Sequence, residues 1–574
     1  MANFYRDNRD LIFAFDNMPW DKIVPIIERD FKEAKEFEEA PTSVAGALET
    51  YQMVLELVGQ IAAETVAPDA EEADEIGCVC NDGVVDYAPV TARHLKAFYK
   101  NGLMGLTLPR RYGGQNLPTV LSAAAMEIVA RADAGLLTLF ALQGCAETIN
   151  FFASDELKAK YLPRAIKGKT MAMALTEPNA GSDLGSARTK AEPSGEEGVW
   201  EITGQKCFIT NGCGDILLVL ARSEPDSRDA RGLSLFIVEK GEGVEVARIE
   251  NKLGIHSSPT CVMNFDKAKG YLVGKRKFGL SRYVMQLMFG ARLAISAQAL
   301  GIMVAAYDAS RKYADERKQF GHSLSEFQPI REILITMQSV IEASRCLIYE
   351  AAAIVDYKIG WEKKQAEAES AENDDQKAEA RQMVRKFDSI GDCITPLCKF
   401  FVCEWVQKIC YQAIQVHGGY GYMREYGVER MYRDARITSI YEGTSQIQAG
   451  HAVPKIMKGA LDGYFEKLQA TCPDGALKES LEPGYRKFRE AVENLGAPHA
   501  ADSPRLCDGP LAERASDLLC AYYLVRQTAG AERKKSVAAK FISDAMLRIN
   551  TNHNRIMSGE RAAIDGFGEI CAPD

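Results

Sequence analysis

The chain has 574 residues, 47% of them hydrophobic and 26% charged, and a net charge of −10 at pH 7. At about 150 residues per domain this length asks for three or four folding units, and the average composition excludes a fibrous repeat, wholesale disorder or a small disulfide scaffold. A net acidic surface repels phosphate backbones, so nucleic acid is not expected as a partner.

Residues 1–43 form an aromatic and acidic leader (Phe4, Tyr5, Phe13, Phe15, Trp20) that ends at the turn signal Ala40-Pro41-Thr42-Ser43. Asp7 and Asp10 sit among its arginines, which matches neither a signal peptide nor a transit peptide. No run reaches the ~18 to 20 unbroken apolar residues of a membrane span. The densest stretch, Met285 to Tyr307, is broken by Arg292, Ser296 and Gln298. A cytoplasmic protein without a transmembrane segment is the expectation.

From 44 to 170 the pattern is helical, with Met53, Val54, Leu57, Ile61 and Val66 on one face before Pro68. From 171 to 278, runs such as MAMALTEP, VWEITG, CFITNG, DILLVLARS, LSLFIVEKG and CVMNFD alternate with Gly, Asn, Asp and Ser clusters. They read as strands of an antiparallel sheet or small barrel. Helical periodicity returns from 279 to 465, including an acid-rich stretch after Trp361 that suits a solvated helix extension or loop. Residues 466–574 add a further helical unit with three stripes. These are Tyr485, Phe488, Val492 and Leu495; Leu511, Ala515, Leu518, Tyr522 and Val525; and Ala538, Phe541, Ala545 and Ile549. The predicted class is α+β and multi-domain: an N-terminal helical domain, a middle antiparallel β domain, a C-terminal four-helix bundle and the added helical unit.

Fifteen cysteines include no C-x-x-C, and Cys393, Cys398, Cys403 and Cys410 fall at offsets that do not converge on one ion. Reduced thiols and no metal site are expected. No glycine-rich dinucleotide or phosphate loop is present.

Three segments are built for chemistry. The turn Leu175-Thr176-Glu177-Pro178-Asn179-Ala180-Gly181-Ser182-Asp183 offers backbone N–H groups to a polar ring edge or anion, though an ordinary connection reads the same way. In Lys206–Gly212, alternation puts Phe208 and Thr210 on one side of a strand, either facing a flat ligand or, for Phe208, filling the core. In Arg436–Gln448, Glu442 lies between Tyr441 and Gly443; behind apolar residues its pKa would rise toward that of a general base, and a helix-terminal carboxylate is the equal alternative.

In order, TEPNAGSD, KCFITNG, RKQFG, QVHGGYGY and IYEGTSQIQ make the chain resemble the acyl-CoA dehydrogenases over about residues 45–460. The added segments are similar to those of the long bacterial subgroup that includes methylthiopropanoyl-CoA dehydrogenase-type enzymes. The resemblance implies FAD, with its ring against Met173 to Ser182 and polar contacts from Leu175 and Thr176. It implies Phe208 where the family usually has tryptophan, and Thr210 near flavin N5. Arg317, Phe320 and Gln328 would hold the pyrophosphate and adenosine end, completed by Gln415, Gly418 and Gly419 across a subunit boundary. Thr444 and Gln446 would also touch FAD. Ser182 and Arg292 would lie along the acyl-CoA path, with Tyr441 and Gly443 beside the substrate.

By the same resemblance Glu442 is the base. A minority of the family carries the base one residue before the arginine matching Arg292, and here that residue is Ala291. The implied reaction is α,β-dehydrogenation of an acyl-CoA in fatty acid metabolism, with the α-proton to Glu442 and the β-hydride to flavin N5. The thioester carbonyl would be polarised by the Glu442 backbone N–H and a flavin ribityl hydroxyl. Electrons would pass to an electron-transferring flavoprotein, in a homodimer or dimer of dimers. The alternatives are an acyl-CoA oxidase using oxygen, or a FAD-binding, nucleic-acid-associated relative. Chain length, branching, a ring or sulfur in the acyl group is left open, and pocket depth depends on the helix near Phe140 to Cys145.

Overall fold

A computed structural model describes residues 2–496, 504–529 and 531–572. It divides into two compact units. Unit 1 holds 1–12, 19–302 and 429–437; unit 2 holds 13–18, 303–428 and 438–574.

The first long helix of unit 1 starts at a side-chain cap. Ser43 accepts from the Gly46 N–H at 3.1 Å and opens α3 (Val44–Ile61), after the short α1 (Arg9–Asp16) and α2 (Trp20–Ile27). The helical path continues past Ile61 as a π turn and a 3-10 turn containing Pro68, into α4 (Ala70–Ile76). A hairpin of β1 (Cys78–Asn81) and β2 (Val84–Tyr87) interrupts the helices. Five helices follow: α5 (Pro89–Lys100), α6 (Thr119–Ala132), α7 (Ala134–Ala141), α8 (Gln143–Phe152) and α9 (Asp155–Ile166).

The β domain contains β3 (Met171–Ala174), β4 (Lys190–Pro193), β5 (Val199–Thr210), β6 (Ile216–Arg222), β7 (Leu233–Glu239), β8 (Val244–Ile249) and β9 (Thr260–Leu272). VWEITG and CFITNG are one continuous strand, β5. Pairings β6–β7, β7–β9, β9–β5, β5–β4 and β4–β6 close a ring. The sheet is mixed rather than antiparallel: β3 runs parallel to β6, with Met171 opposite Ile216 and Ala174 opposite Val219. β4 also runs parallel to β6, so the connection from β3 to β4 is a crossover that keeps the chain direction, and only β5 reverses it before β6. On β6 and β7, Leu218, Leu220, Leu235 and Ile237 join a core with Ile149, Tyr161 and Leu162 of α8 and α9. Their neighbours Leu217, Val219, Phe236 and Val238 face inward against Ile202, Met263 and Phe265. Covering both faces explains why these strands read as unbroken apolar runs.

Helix α10 (Met285–Glu316) leads out of unit 1. By length and composition it could cross a membrane, but 72% of its apolar window is buried within the protein. In unit 2, α11 (Gln328–Ser370) and α12 (Asp374–His417) form a long antiparallel hairpin, about 65 Å at 1.5 Å per residue. The acid-rich stretch forms its tip, where Asn373 caps α12 by accepting from the Gln376 N–H at 3.1 Å. After α13 (Val428–Ala435), which belongs to unit 1, come α14 (Ser445–Met457), α15 (Asp462–Thr471), α16 (Ala476–Glu479), α17 (Glu482–Gly496), α18 (Asp508–Arg526) and α19 (Glu532–Met557).

The stripe expected on α18 is only part of its buried surface. Leu511, Ala512 and every residue from Arg514 to Val525 are buried, so this is a central helix rather than an amphipathic one. Of the two charges inside this buried run, Asp517 accepts from Arg548 at 2.7 Å, and Arg514 donates through Nη1 to the Lys487 carbonyl at 2.9 Å while its Nε and Nη2 find no partner among the described residues. Glu342 of α11 receives Arg533 and Lys534 of α19, and Arg526 pairs with Glu350. A chain ended at Ala460 should therefore expose the apolar faces of α11, α12 and α14 and aggregate on expression. A soluble, monodisperse truncation in size-exclusion chromatography would contradict this packing.

Candidate active site

In unit 1 the loop after β3 is shaped by one buried ion pair. Lys206 Nζ, from β5, donates to the Leu175 carbonyl at 2.9 Å and to Glu177 Oε1 at 2.8 Å. Glu177 also accepts the backbone N–H groups of Arg188 at 2.6 Å and Thr189 at 2.9 Å. Glu177 and Ala180 exchange backbone hydrogen bonds at 3.1 Å, which closes the Pro178-Asn179 turn. Side-chain exposures are 0% for Lys206 and 8% for Glu177. Burial pulls the Lys206 ammonium down to about 8, against Glu177. Burial also lifts the Glu177 carboxyl, but Lys206 and the two N–H donors outweigh it and leave its pKa below the ordinary carboxylate value. The charge-assisted bonds keep the pair ionised at neutral pH.

Two residues beyond Lys206, the register of β5 against β9 shifts between Lys206 and Ile209. This bulge buries Lys206 and Cys207 in succession and turns Phe208 outward, 63% exposed at φ +58°. Phe208 is thus not a core residue, and half-buried Thr210 follows it. Met173 and Thr176 are half-buried and Ser182 is exposed. The Leu175 side chain is buried, so its polar contacts are limited to the main chain, whose carbonyl already receives Lys206. Arg292 of α10 is buried in the same unit.

In unit 2 a second lysine plays the same part. Lys399 Nζ donates to the carbonyls of Thr438 at 3.0 Å and Gly443 at 2.8 Å. Gln448 Nε2 donates to the Glu442 carbonyl at 2.9 Å and the Gly443 carbonyl at 3.3 Å. Between these anchors Glu442 takes φ +53° and Gly443 φ +88°. A Cβ on Gly443 would lie 2.5 Å from Gln448 Nε2, so only glycine fits. Tyr441, Glu442, Gly443 and Thr444 are half-buried and Gln446 is exposed. The Thr444 hydroxyl caps α14 by accepting the Ile447 N–H at 3.3 Å.

The remaining predicted residues gather elsewhere in unit 2. A two-stranded turn, Lys318–Gln319 against His322–Ser323, carries Phe320 at its tip, 92% exposed with φ +52°. The Arg317 guanidinium lies over the Tyr420 ring at 5.5 Å, beside Gly418 and Gly419 at the end of α12. Gln328 begins α11, and Gln415, Gly418 and Gly419 are exposed. A Cβ on either glycine would meet nothing within 4 Å. Phe208, Phe320 and Glu442 are all non-glycine residues in the left-handed region, a strain that persists only where surrounding contacts enforce it. The sequence reading missed Lys399 and Gln448 and assigned Lys206 no part. A lysine inside the apolar run from Ile394 to Val402 was the available signal.

Comparison with known proteins matches three family models: "Acyl-CoA dehydrogenase, N-terminal domain" over residues 48–169, "middle domain" over 172–268, and "C-terminal domain" over 281–372 and 376–456. The chain is 36% identical over 440 residues to 3-methylmercaptopropionyl-CoA dehydrogenase of Ruegeria pomeroyi, covering 70% of this chain and 71% of that one. An acyl-CoA dehydrogenase complexed with FAD from Bacillus anthracis is 26% identical, with a TM-score of 0.75 over 89% of each chain. A chain from the structure of electron transferring flavoprotein of Acidaminococcus fermentans is 30% identical, with a TM-score of 0.61 over 71% of this chain and 98% of its own.

Replacing Lys206 by Met should strand a buried carboxylate and cost about 3 to 5 kcal/mol of stability, measured by chemical denaturation. The double variant Lys206→Met/Glu177→Gln should recover part of this. A loss below about 1 kcal/mol in the single variant would show that the pair does not anchor the loop.

Proposed function

Because this chain belongs to the acyl-CoA dehydrogenase family, we propose that Glu442 is the base that removes the proton α to an acyl-CoA thioester. The chain is an oxidoreductase acting on CH–CH groups, in a family that depends on FAD. The residues present fit that cofactor. An outward aromatic at Phe208 suits a flat ring system, and Arg317, Phe320 and the open main chain at Gly418 and Gly419 suit a diphosphate and an adenosine. When bound, FAD supplies the hydride acceptor.

The observation that carries the reading is the Glu442 turn. Its carbonyl and that of Gly443 are tied back by Gln448 and Lys399. The left-handed φ is thereby locked, and the half-buried Glu442 side chain is carried by a backbone that cannot relax. A preorganised base loses no orientation at the moment of proton transfer. Its backbone N–H is equally fixed and can donate to a thioester carbonyl as enolate charge develops. For the electron acceptor, the likeness to a chain in an electron transferring flavoprotein structure supports transfer to a protein of that kind.

A homo-oligomer that shares its flavin sites is proposed as well. Support comes from the exposed apolar side chains of Phe320, Tyr420, Tyr422 and Met423, with the Arg317 guanidinium over the Tyr420 ring; exposed apolar surface of this kind marks protein contacts.

Glu442→Gln should keep FAD bound while flavin bleaching on anaerobic mixing with acyl-CoA slows by ~10² to 10⁴, the usual contribution of a general base. Bleaching within about tenfold of the native rate, ~1.4 kcal/mol of barrier, would move the base elsewhere. Arg317→Ala should lose FAD and the oligomer together, read by absorbance and light scattering. Full FAD occupancy in a monomer would refute shared sites.

A further inference from the structure

Helix α8 carries a carboxyl that neither the fold nor the proposed proton transfer uses. Glu147 lies three residues after Gly144, so the two share one helix face. A Cβ on Gly144 would meet nothing within 4 Å, so open space lies on that face. Across from it, a Cβ on Gly290 of α10 would come 3.7 Å from Glu147 Oε2. Ala291 and Arg292 follow directly. Gly144 on α8 and the Gly290-Ala291 pair on α10 leave room that larger side chains would close.

Glu147 Oε1 accepts the Thr107 hydroxyl, and among the described residues Thr107 is the one hydrogen-bond partner of this side chain. Oε2 is left to whatever occupies the space. Glu147 is half-buried, beside an apolar core of Cys145, Ala146 and Ile149 with Leu142, Leu287 and Met288 packed against it. Burial raises the carboxyl pKa above its ordinary value despite the Thr107 bond. In its protonated form this carboxyl offers one O–H, and an O–H in an apolar wall is costly unless it finds an acceptor.

We propose that Glu147 is a specificity-determining residue whose Oε2 hydrogen-bonds an ether or hydroxyl oxygen carried by the acyl group beyond its β carbon. The placement of this space on the acyl path rests on the acyl-CoA reading, through Arg292. The bland alternative is that Thr107 and Glu147 merely tie a loop to α8. A tie of that kind would not distinguish two thioesters of equal length.

The test is the ratio of kcat/KM, with the holoenzyme, for matched saturated thioesters: 4-methoxybutanoyl-CoA against hexanoyl-CoA, and 6-methoxyhexanoyl-CoA against octanoyl-CoA. The native enzyme should favour the oxygen-bearing member. Glu147→Leu should lower the ratio by about tenfold, the scale of one hydrogen bond. Glu147→Gln keeps the shape and an N–H donor and should retain most of the preference, which decides the matter if the Leu variant loses its flavin. A native ratio at or below one, or a ratio unchanged in both variants, overturns the inference while leaving the acyl-CoA reading intact. Flavin that is bleached by no straight, branched or cyclic acyl-CoA overturns both.

Discussion

Two buried ammonium groups, one in each unit, each hold a turn in shape. Lys206 in unit 1 and Lys399 in unit 2 each direct their N–H donors at main-chain carbonyls of a turn. A charge taken out of water costs several kcal/mol unless it is fully bonded, so neither lysine can release its carbonyls cheaply. The turns inherit that rigidity. Phe208 follows Lys206 by two residues, and Gly443 is itself a ligand of Lys399 next to Glu442. Left-handed backbone at Phe208 and Glu442 costs about 1 to 3 kcal/mol each, a strain these anchors are strong enough to sustain.

Much of the fold was legible because periodicity reports burial. Strands of the β domain announced themselves by apolar runs between turn residues, and those runs became the two-sided β6 and β7. The hairpin at Cys78–Tyr87 escaped notice, although Asp82-Gly83 at φ +48° and +78° is a type I′ turn with a recognisable sequence. The parallel β3–β6 pairing had no local signal at all, since it joins residues some forty-five positions apart that share no turn. Helix α18 shows a different limit. A helix buried on every side has no polar face to set a stripe against, so the five residues picked out at helical spacing understated it.

Within the site, motif residues were visible and their supports were not. Glu442, Phe208 and Arg317 stand in ordered motifs, and the structure sets Arg317 beside Tyr420 and the Gly418-Gly419 pair. Lys399 lies outside those motifs, Gln448 only ends one of them, and Glu147 sits among other polar residues of α8, Gln143, Thr148 and Asn150. Their importance comes from what they touch 44, 6 and 40 positions away. For Lys399 and Glu147 that is tertiary information, absent from any short window of sequence.

The central position of α18 also sets a timetable for synthesis. α11 and α12 leave the ribosome as a completed hairpin at residue 417, but the helix that covers them ends only at Arg526. At about 5 to 20 residues per second, that apolar face waits on the order of 5 to 20 s for its cover. The strands of the β domain, complete by Leu272, have no comparable delay among themselves. Nascent unit 2 is accordingly the part of this chain that depends most on chaperone shielding, and slow translation between α12 and α18 would lengthen its exposure.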